Sequence, residues 1–204
     1  MIGLSVLIVI RNEERQIEEC LKTISFADEI VVILDKCNDG SEKIVKKYTP
    51  SFFKGDWNIE GDRRNFGINK CKGKWILEID ADERVSKKLK KEIQKTIQIS
   101  SFDWHQIQVK NYLGKKIINY GWGAYFGKSA YAGLFRNKMK IWGKQRVHPK
   151  IKMLGNQGRT LENKLDHYYC KNIYDLFKKL NSYSNAKAID LRNTNQNETL
   201  MRNI

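Results

Sequence analysis

The sequence predicts an α/β protein, with a mostly parallel central sheet in its first half and a mixed, aromatic, loop-rich second half. Three observations carry this. The runs Ser5–Ile10, Glu29–Leu34 and Trp75–Ile79 have the length and apolar content of strands covered on both faces. Helix-period segments separate them, so the connections cross back over the sheet with right-handed turns. After about residue 100 the regular alternation ends, and glycines punctuate 121–133.

The elements follow in order. Ser5 to Ile10 is the first strand, and Arg11-Asn12-Glu13-Glu14 turns into a helix with Ile17, Cys20, Leu21 and Ile24 on one face. Glu29 to Leu34 is the second strand, ending at Asp35, with a helix from about Ser41 to Tyr48. Ser51 to Lys54 reads as a short third strand. Gly61-Asp62 opens a helix that reaches Cys71, with Gly73 as its cap. Trp75 to Ile79 is the fourth strand, and it runs into Asp80-Ala81-Asp82 before a helix over about 86–98. Asp103 to Tyr112 is a strand with Lys115–Ile118 as its hairpin partner; Tyr131–Arg136, Val147–Met153 and Thr160–His167 are further strands. From Ile173 a helix carries Ile173, Leu176, Phe177, Leu180 and Tyr183 on one face.

Bulk properties narrow the class. A chain of 204 residues holds one substantial domain, and 41% hydrophobic content excludes disorder. The longest apolar run, Leu4 to Ile10, falls far short of the ~20 residues that span a bilayer, and the N-terminus lacks a signal-peptide pattern. Cysteines at 20, 37, 71 and 170 show neither paired nor metal-knuckle spacing, so free thiols in a reducing, cytoplasmic setting are expected. The formal charge of +15 attracts polyanions. Most lysines read as solvated surface. The segment 136–152 differs, because Arg136, Lys138, Lys140, Lys144, Arg146, Lys150 and Lys152 alternate there with Met139, Ile141, Trp142 and Val147.

In a parallel sheet the carboxyl ends of strands one, two and four share a rim, which gathers Arg11-Asn12-Glu13, Asp35, Asp80 and Asp82 at the ligand crevice. Carboxylates at 80 and 82 repel each other, and a hard divalent cation bridging them to a phosphate relieves that repulsion. The plainer account is a polar turn in which Asp82-Glu83 opens the next helix. Neither a Gly-x-Gly-x-x-Gly loop nor a Walker loop is present, so phosphate would need a metal and an arginine in place of a glycine-rich cradle.

Ser5 to Glu14, Ala27 to Val32, Arg64-Asn65-Phe66-Gly67 and Lys74 to Arg84 together resemble family 2 glycosyltransferases of the GT-A fold. Within that family the chain is most similar to the lipopolysaccharide-core glucosyltransferase group, through Leu134-Phe135-Arg136, Val147-His148 and the stretch Tyr168–Ser184 as well. The resemblance implies an inverting transfer of a sugar from a nucleotide donor, expected to be UDP-linked, to a hydroxyl of a glycan or lipid-linked acceptor. It implies a Mn²⁺ or Mg²⁺ ion held by Asp82, with Asp80 on the ribose or the metal across Ala81. The backbone of Ile10, Arg11 and Asn12, with Glu13 beside them, flanks the base. Asp35 is expected to read the base, with Asp39 as the alternative, and Arg64 to neutralise the diphosphate.

A base must take the acceptor's proton. In the related group Val-His is often followed by Glu, whereas Pro149 follows here. His148 is then expected as base or third metal ligand, with Asp166 beside His167 in reserve. Trp122, Tyr125, Phe126 and Trp142 are candidates for stacking on sugar rings. The implied organisation is a single domain over 1–192, with a nucleotide-sugar half (1–100), an acceptor half (101–170), a C-terminal helix (171–192) and a polar tail (193–204). The basic segment and the last helix suit peripheral contact with the cytoplasmic face of an anionic membrane. A basic nucleic-acid-binding protein is the main rival, yet it leaves the row of carboxylates on one rim unexplained, so no nucleic acid is expected. A nucleotidyltransferase would need a basic, glycine-rich loop near the N-terminus, for which Ile10-Arg11-Asn12-Glu13-Glu14 is a poor candidate, and Pro149 keeps a non-catalytic sugar-nucleotide binder in view.

Overall fold

The computed structural model of the chain describes residues 3–118, 128–145 and 149–194. Its core is four parallel strands in the order β3(Phe52–Gly55), β2(Glu29–Asp35), β1(Leu4–Ile10), β4(Trp75–Ile79). Helices α1(Ile17–Thr23), α2(Ser41–Val45) and α3(Glu60–Lys70) connect them. The sheet continues past β4 as β8(Ala130–Arg136), β6(Trp104–Leu113), β11(Leu161–Cys170) and β5(Glu83–Arg84), with β7(Lys116–Ile117) on β6. Strand β8 runs antiparallel to both β4 and β6, whereas β11 runs parallel to β6. The predicted α/β class with a parallel nucleus and a mixed second half is the observed one.

Alternation along the central strands sends side chains to both faces, as a parallel sheet covered by helices requires. On one face Val6, Ile8, Val32, Leu34, Leu77 and Ile79 pack with α1 and with α4(Lys87–Ile99). On the other, Leu7, Ile33, Ile76 and Phe135 pack against Ile68 of α3. Each large side chain buried this way contributes on the order of 1.5–3 kcal/mol.

Several local expectations are corrected. Gly73 does not cap α3, which ends at Cys71 in extended backbone (φ −71, ψ 132). Gly73 is instead pressed against β1, where an added Cβ would meet Ser5 N at 2.5 Å. Asp82-Glu83 opens no helix: Glu83–Arg84 pairs with β11, and Ser86 caps α4 by accepting from Leu89 N. Helix α2 stops at Val45, three residues before the expected end at Tyr48. The segment Lys140–Trp142 forms β9, paired antiparallel with β10(Ile151–Met153). The last helix, α5, runs from Ile173 to Thr194; Leu176 is buried, whereas Ile173 and Phe177 are 61% and 57% exposed. The expected apolar face is therefore split between core and solvent. No helix among the described residues is long and apolar enough to cross a membrane.

Candidate active site

The parallel register of β1 with β2 and β4 brings the predicted rim together. Past Ile10 the chain turns through Asn12 in the left-handed region (φ 57), a conformation asparagine tolerates well. Asn12 Oδ1 accepts from Asn38 N at 2.8 Å, and Ser41 Oγ accepts from Glu13 N at 2.9 Å, so the β1–α1 and β2–α2 loops are fastened to each other. Asp39 accepts from Glu14 N and Ser41 N, both at 3.0 Å, and is spent on that fastening. Asp35 is 1% exposed; Oδ2 pairs with Arg63 at 2.6 Å and Oδ1 accepts from Trp57 N at 3.0 Å. The expected reading of a base by Asp35 would have to use the lone pairs left on those oxygens. Burial, with Asp82 and Asp80 nearby, raises the Glu13 carboxyl above its ordinary range, against the hydrogen bond from Gln16.

At the end of β4 the two aspartates have different surroundings. Asp80 pairs with Arg64 Nη2 at 3.0 Å and with Lys128 Nζ at 2.8 Å. Burial would raise its carboxyl, but Lys128 and Arg64 outweigh it and hold the group well below the usual carboxylate range. Lys128 also reaches Glu83 at 2.7 Å, and Glu83 is fully buried. Arg64, expected to face a diphosphate, binds Glu60, Glu78 and Asp80 and stacks 4.6 Å from the Trp142 ring centroid. Asp80 is thus already neutralised by two cations of the protein.

Asp82 faces elsewhere. Its Oδ2 lies 3.4 Å from His167 Nε2 and 3.8 Å from Lys179 Nζ of α5. The histidine ring is fixed from behind, since Nδ1 lies 2.7 Å from Asn111 Oδ1. Asn111 Nδ2 donates to Lys128 O at 3.1 Å, which orients that amide and leaves Oδ1 as the acceptor. Nδ1 therefore carries a proton. In the neutral ring Nε2 then turns a lone pair toward a carboxylate, an unfavourable arrangement that a cation between them would make favourable. The separation matches two ligands of one ion at ~2.0–2.2 Å each. Among the described residues no group of three His, Cys, Asp or Glu converges on a metal position; Asp82 and His167 are a pair that could share one ion.

Of the two residues expected to act as base, His148 lies outside the described residues, as do Trp122, Tyr125 and Phe126. Asp166 is described but does not join the cluster. It pairs with Lys110 at 3.3 Å and accepts from Tyr112 Oη at 3.2 Å, while its neighbour His167 turns to Asp82. The basic segment is also not what charge alone suggests. Lys140 is 2% exposed, with Nζ 2.7 Å from Glu78, and Arg136 donates to Ser100 O and Phe102 O. Sequence reasoning missed His167, Lys128 and Lys179. A period-two reading of β11, where Leu161, Leu165, His167 and Tyr169 are buried, marks His167 and not Asp166 as inward.

The family described as "Glycosyl transferase family 2" matches residues 5–149. The lipopolysaccharide core biosynthesis glycosyltransferase LpsC of Rhizobium meliloti (strain 1021) is 26% identical over 194 residues, 91% of this chain and 70% of that protein. An uncharacterized glycosyltransferase of Rickettsia bellii (strain RML369-C) is 32% identical over 92 residues, 45% of this chain and 31% of that one. Among solved structures, S. aureus TarS 1–349 in complex with UDP superposes with a TM-score of 0.60 at 15% identity, covering 90% of this chain and 65% of that chain. The same protein in complex with UDP-GlcNAc gives 0.54 at 16% identity over 79% of this chain and 60% of that chain. These likenesses show a shared fold.

Proposed function

The chain belongs to glycosyl transferase family 2, and from that premise we propose an inverting, metal-dependent transfer of a sugar from a UDP-linked donor to a hydroxyl of a glycan or lipid-linked acceptor. The observation that carries the reading is Asp82 Oδ2 facing Nε2 of an oriented His167 at 3.4 Å, on the rim where β1, β2 and β4 end. The UDP and UDP-GlcNAc complexes of TarS support the choice of donor.

Asp82 and His167 would hold Mn²⁺ or Mg²⁺, which supplies positive charge to a departing diphosphate. Arg64 and Lys128 keep Asp80 ionised and fixed, so its carboxylate can orient the ribose without competing for the ion. The backbone of Ile10 to Asn12 flanks the base, and Asp35, held by Arg63, accepts the imide N–H. In the transfer the acceptor oxygen bonds to the anomeric carbon on the face opposite the diphosphate. The bond to the diphosphate breaks with its electron pair, and the acceptor proton passes to a base, for which His148 remains the candidate. On α5, Ile173, Tyr174 and Phe177 are 61%, 73% and 57% exposed, which supports a peripheral membrane contact for a lipid-linked acceptor.

The test is a thermal-shift panel of UDP-, GDP-, ADP- and CDP-sugars with and without Mn²⁺. A Mn²⁺-dependent rise with UDP-sugars is expected. Equal responses across the nucleotides, or none with UDP, would reject the donor assignment.

A further inference from the structure

A cavity of about 330 Å³ opens between Gln16, the end of β11 and the start of α5. It is near the lower end of the ~300–1,000 Å³ range of small-molecule sites. Tyr168 and Tyr169 give it apolar walls, and Lys171, Lys178 and Lys179 line it against a single carboxylate, Asp175. It adjoins the Asp82 corner directly. Lys179 lines the cavity and lies 3.8 Å from Asp82 Oδ2, while Tyr168 N donates to Asp82 O at 2.8 Å. Its three lysines differ in how their charge is used. Lys179 is engaged, donating to Tyr169 O at 2.6 Å, whereas neither Lys171 nor Lys178 has a carboxylate within ion-pair distance among the described residues.

Elsewhere on this rim the cations are committed: Lys128 pairs with Asp80 and Glu83, and Arg64 with Glu60, Glu78 and Asp80. Lys171 and Lys178 differ: two ammonium groups with no carboxylate within ion-pair distance among the described residues line a cavity one side chain from Asp82. The apolar walls suit the carbon skeleton of a sugar or of a lipid chain, and the lysines suit a dianion carried on it. From this we infer that the cavity is an acceptor subsite for a phosphate monoester group, on a sugar or on a lipid carrier. The inference rests on the glycosyltransferase reading and adds the chemical class of acceptor to it. The transferred sugar would meet the acceptor at Asp82, with the phosphate held by Lys171 and Lys178 on the α5 side.

The experiment is calorimetric titration of the protein saturated with UDP and Mn²⁺. The probes are glucose 6-phosphate, methyl glucoside as the neutral control, and citronellyl phosphate as a water-soluble lipid phosphate. One or both phosphates are expected to bind at least tenfold more tightly than the neutral sugar, and the stronger of the two identifies the carrier. The exposed double variant Lys171→Gln/Lys178→Gln should lose at least tenfold in that affinity while its UDP-dependent stabilisation stays the same. Phosphate binding that is equal in the double variant, no tighter than the neutral sugar, or abolished by saturating UDP overturns the inference. Absence of UDP binding would instead reject the donor assignment. The cavity is then judged by the same titration of the free protein.

Discussion

His167 Nε2 lies 3.4 Å from Asp82 Oδ2, although the two residues are 85 positions apart in sequence. Strand β5 brings them together: Glu83 pairs with His167 across the β5–β11 ladder, which places the residue before Glu83 at the histidine ring. The ring cannot turn away, because Nδ1 is tied to Asn111 and Asn111 is tied to the backbone of Lys128. An amide on β6 therefore sets which nitrogen of a β11 histidine faces the carboxylate.

That chain of contacts predicts a graded series of variants. Asp82→Ala and His167→Ala should each abolish Mn²⁺-dependent UDP binding, with a midpoint of unfolding in the absence of ligand close to that of the parent. Asn111→Ala keeps both ligands and frees the ring, so Mn²⁺ affinity should fall by about 10–100-fold. Titration of Mn²⁺ by electron paramagnetic resonance measures all three. Parental affinity in both ligand variants would remove the site.

A second prediction separates buried from surface lysine. Lys140 and Glu78 are each 2% exposed and 2.7 Å apart, with Arg64 and Trp142 Nε1 on the same carboxylate. Lys140→Met removes one cation from a buried cluster and should cost about 3–5 kcal/mol. Adding Glu78→Gln should recover part of that loss by removing the uncompensated charge. Urea unfolding checks both. A loss below ~1 kcal/mol for Lys140→Met would mean that the pair is exposed to water in solution.

How much of this could be read in the sequence depends on the kind of signal. β1, β2 and β4 were legible because both faces are apolar, and their parallel order placed Asn12, Asp35 and Asp80 on one rim. Lys128 and Lys140 were not legible, because a buried ion-paired lysine and a solvated one have the same letter, and only the fold supplies Glu83 and Glu78. Two-residue β5 has no periodicity to detect, yet it sets the Asp82–His167 contact. Asp166 drew attention as a carboxylate, although the alternation of Leu161, Leu165, His167 and Tyr169 along β11 turns it away from the cluster.

The acid limb of stability should depend on Glu92. This α4 carboxylate accepts from Glu162 N and Asn163 N, both at 2.9 Å, and from Asn163 Nδ2 at 2.8 Å, fixing the start of β11. Burial raises its pKa, but those hydrogen bonds and Arg159 outweigh it and leave the group lowered. A carboxyl lowered in the folded state stabilises above its unfolded value, about pH 4.3, and loses that contribution as pH falls through the folded value. Glu92→Gln should therefore cost about 1.5–3 kcal/mol at pH 7 and show a shallower fall in stability below pH 4. Parallel curves of unfolding free energy against pH for parent and variant would contradict this.

The last prediction concerns how α3 reaches the site. A Cβ added at Gly61 would collide with the carbonyl oxygen of Gly143, just past β9, and meet Trp142 Cβ at 3.3 Å. The obstacle is backbone, held by Gly143 N donating to Lys150 O at 2.7 Å and by Asn65 donating to Trp142 O at 2.9 Å, so no side-chain rotation relieves it. Gly61→Ala must move α3 or the β9 loop, and overpacking of this kind costs about 1–3 kcal/mol. Helix α3 carries Arg63 to Asp35 and Arg64 to Asp80, so its displacement loosens both ends of the rim. The variant should lose stability and UDP affinity together, whereas Asp82→Ala loses only metal-dependent binding. Differential scanning calorimetry with and without UDP distinguishes the two patterns, and a Gly61→Ala protein with parental stability would show that the contact yields.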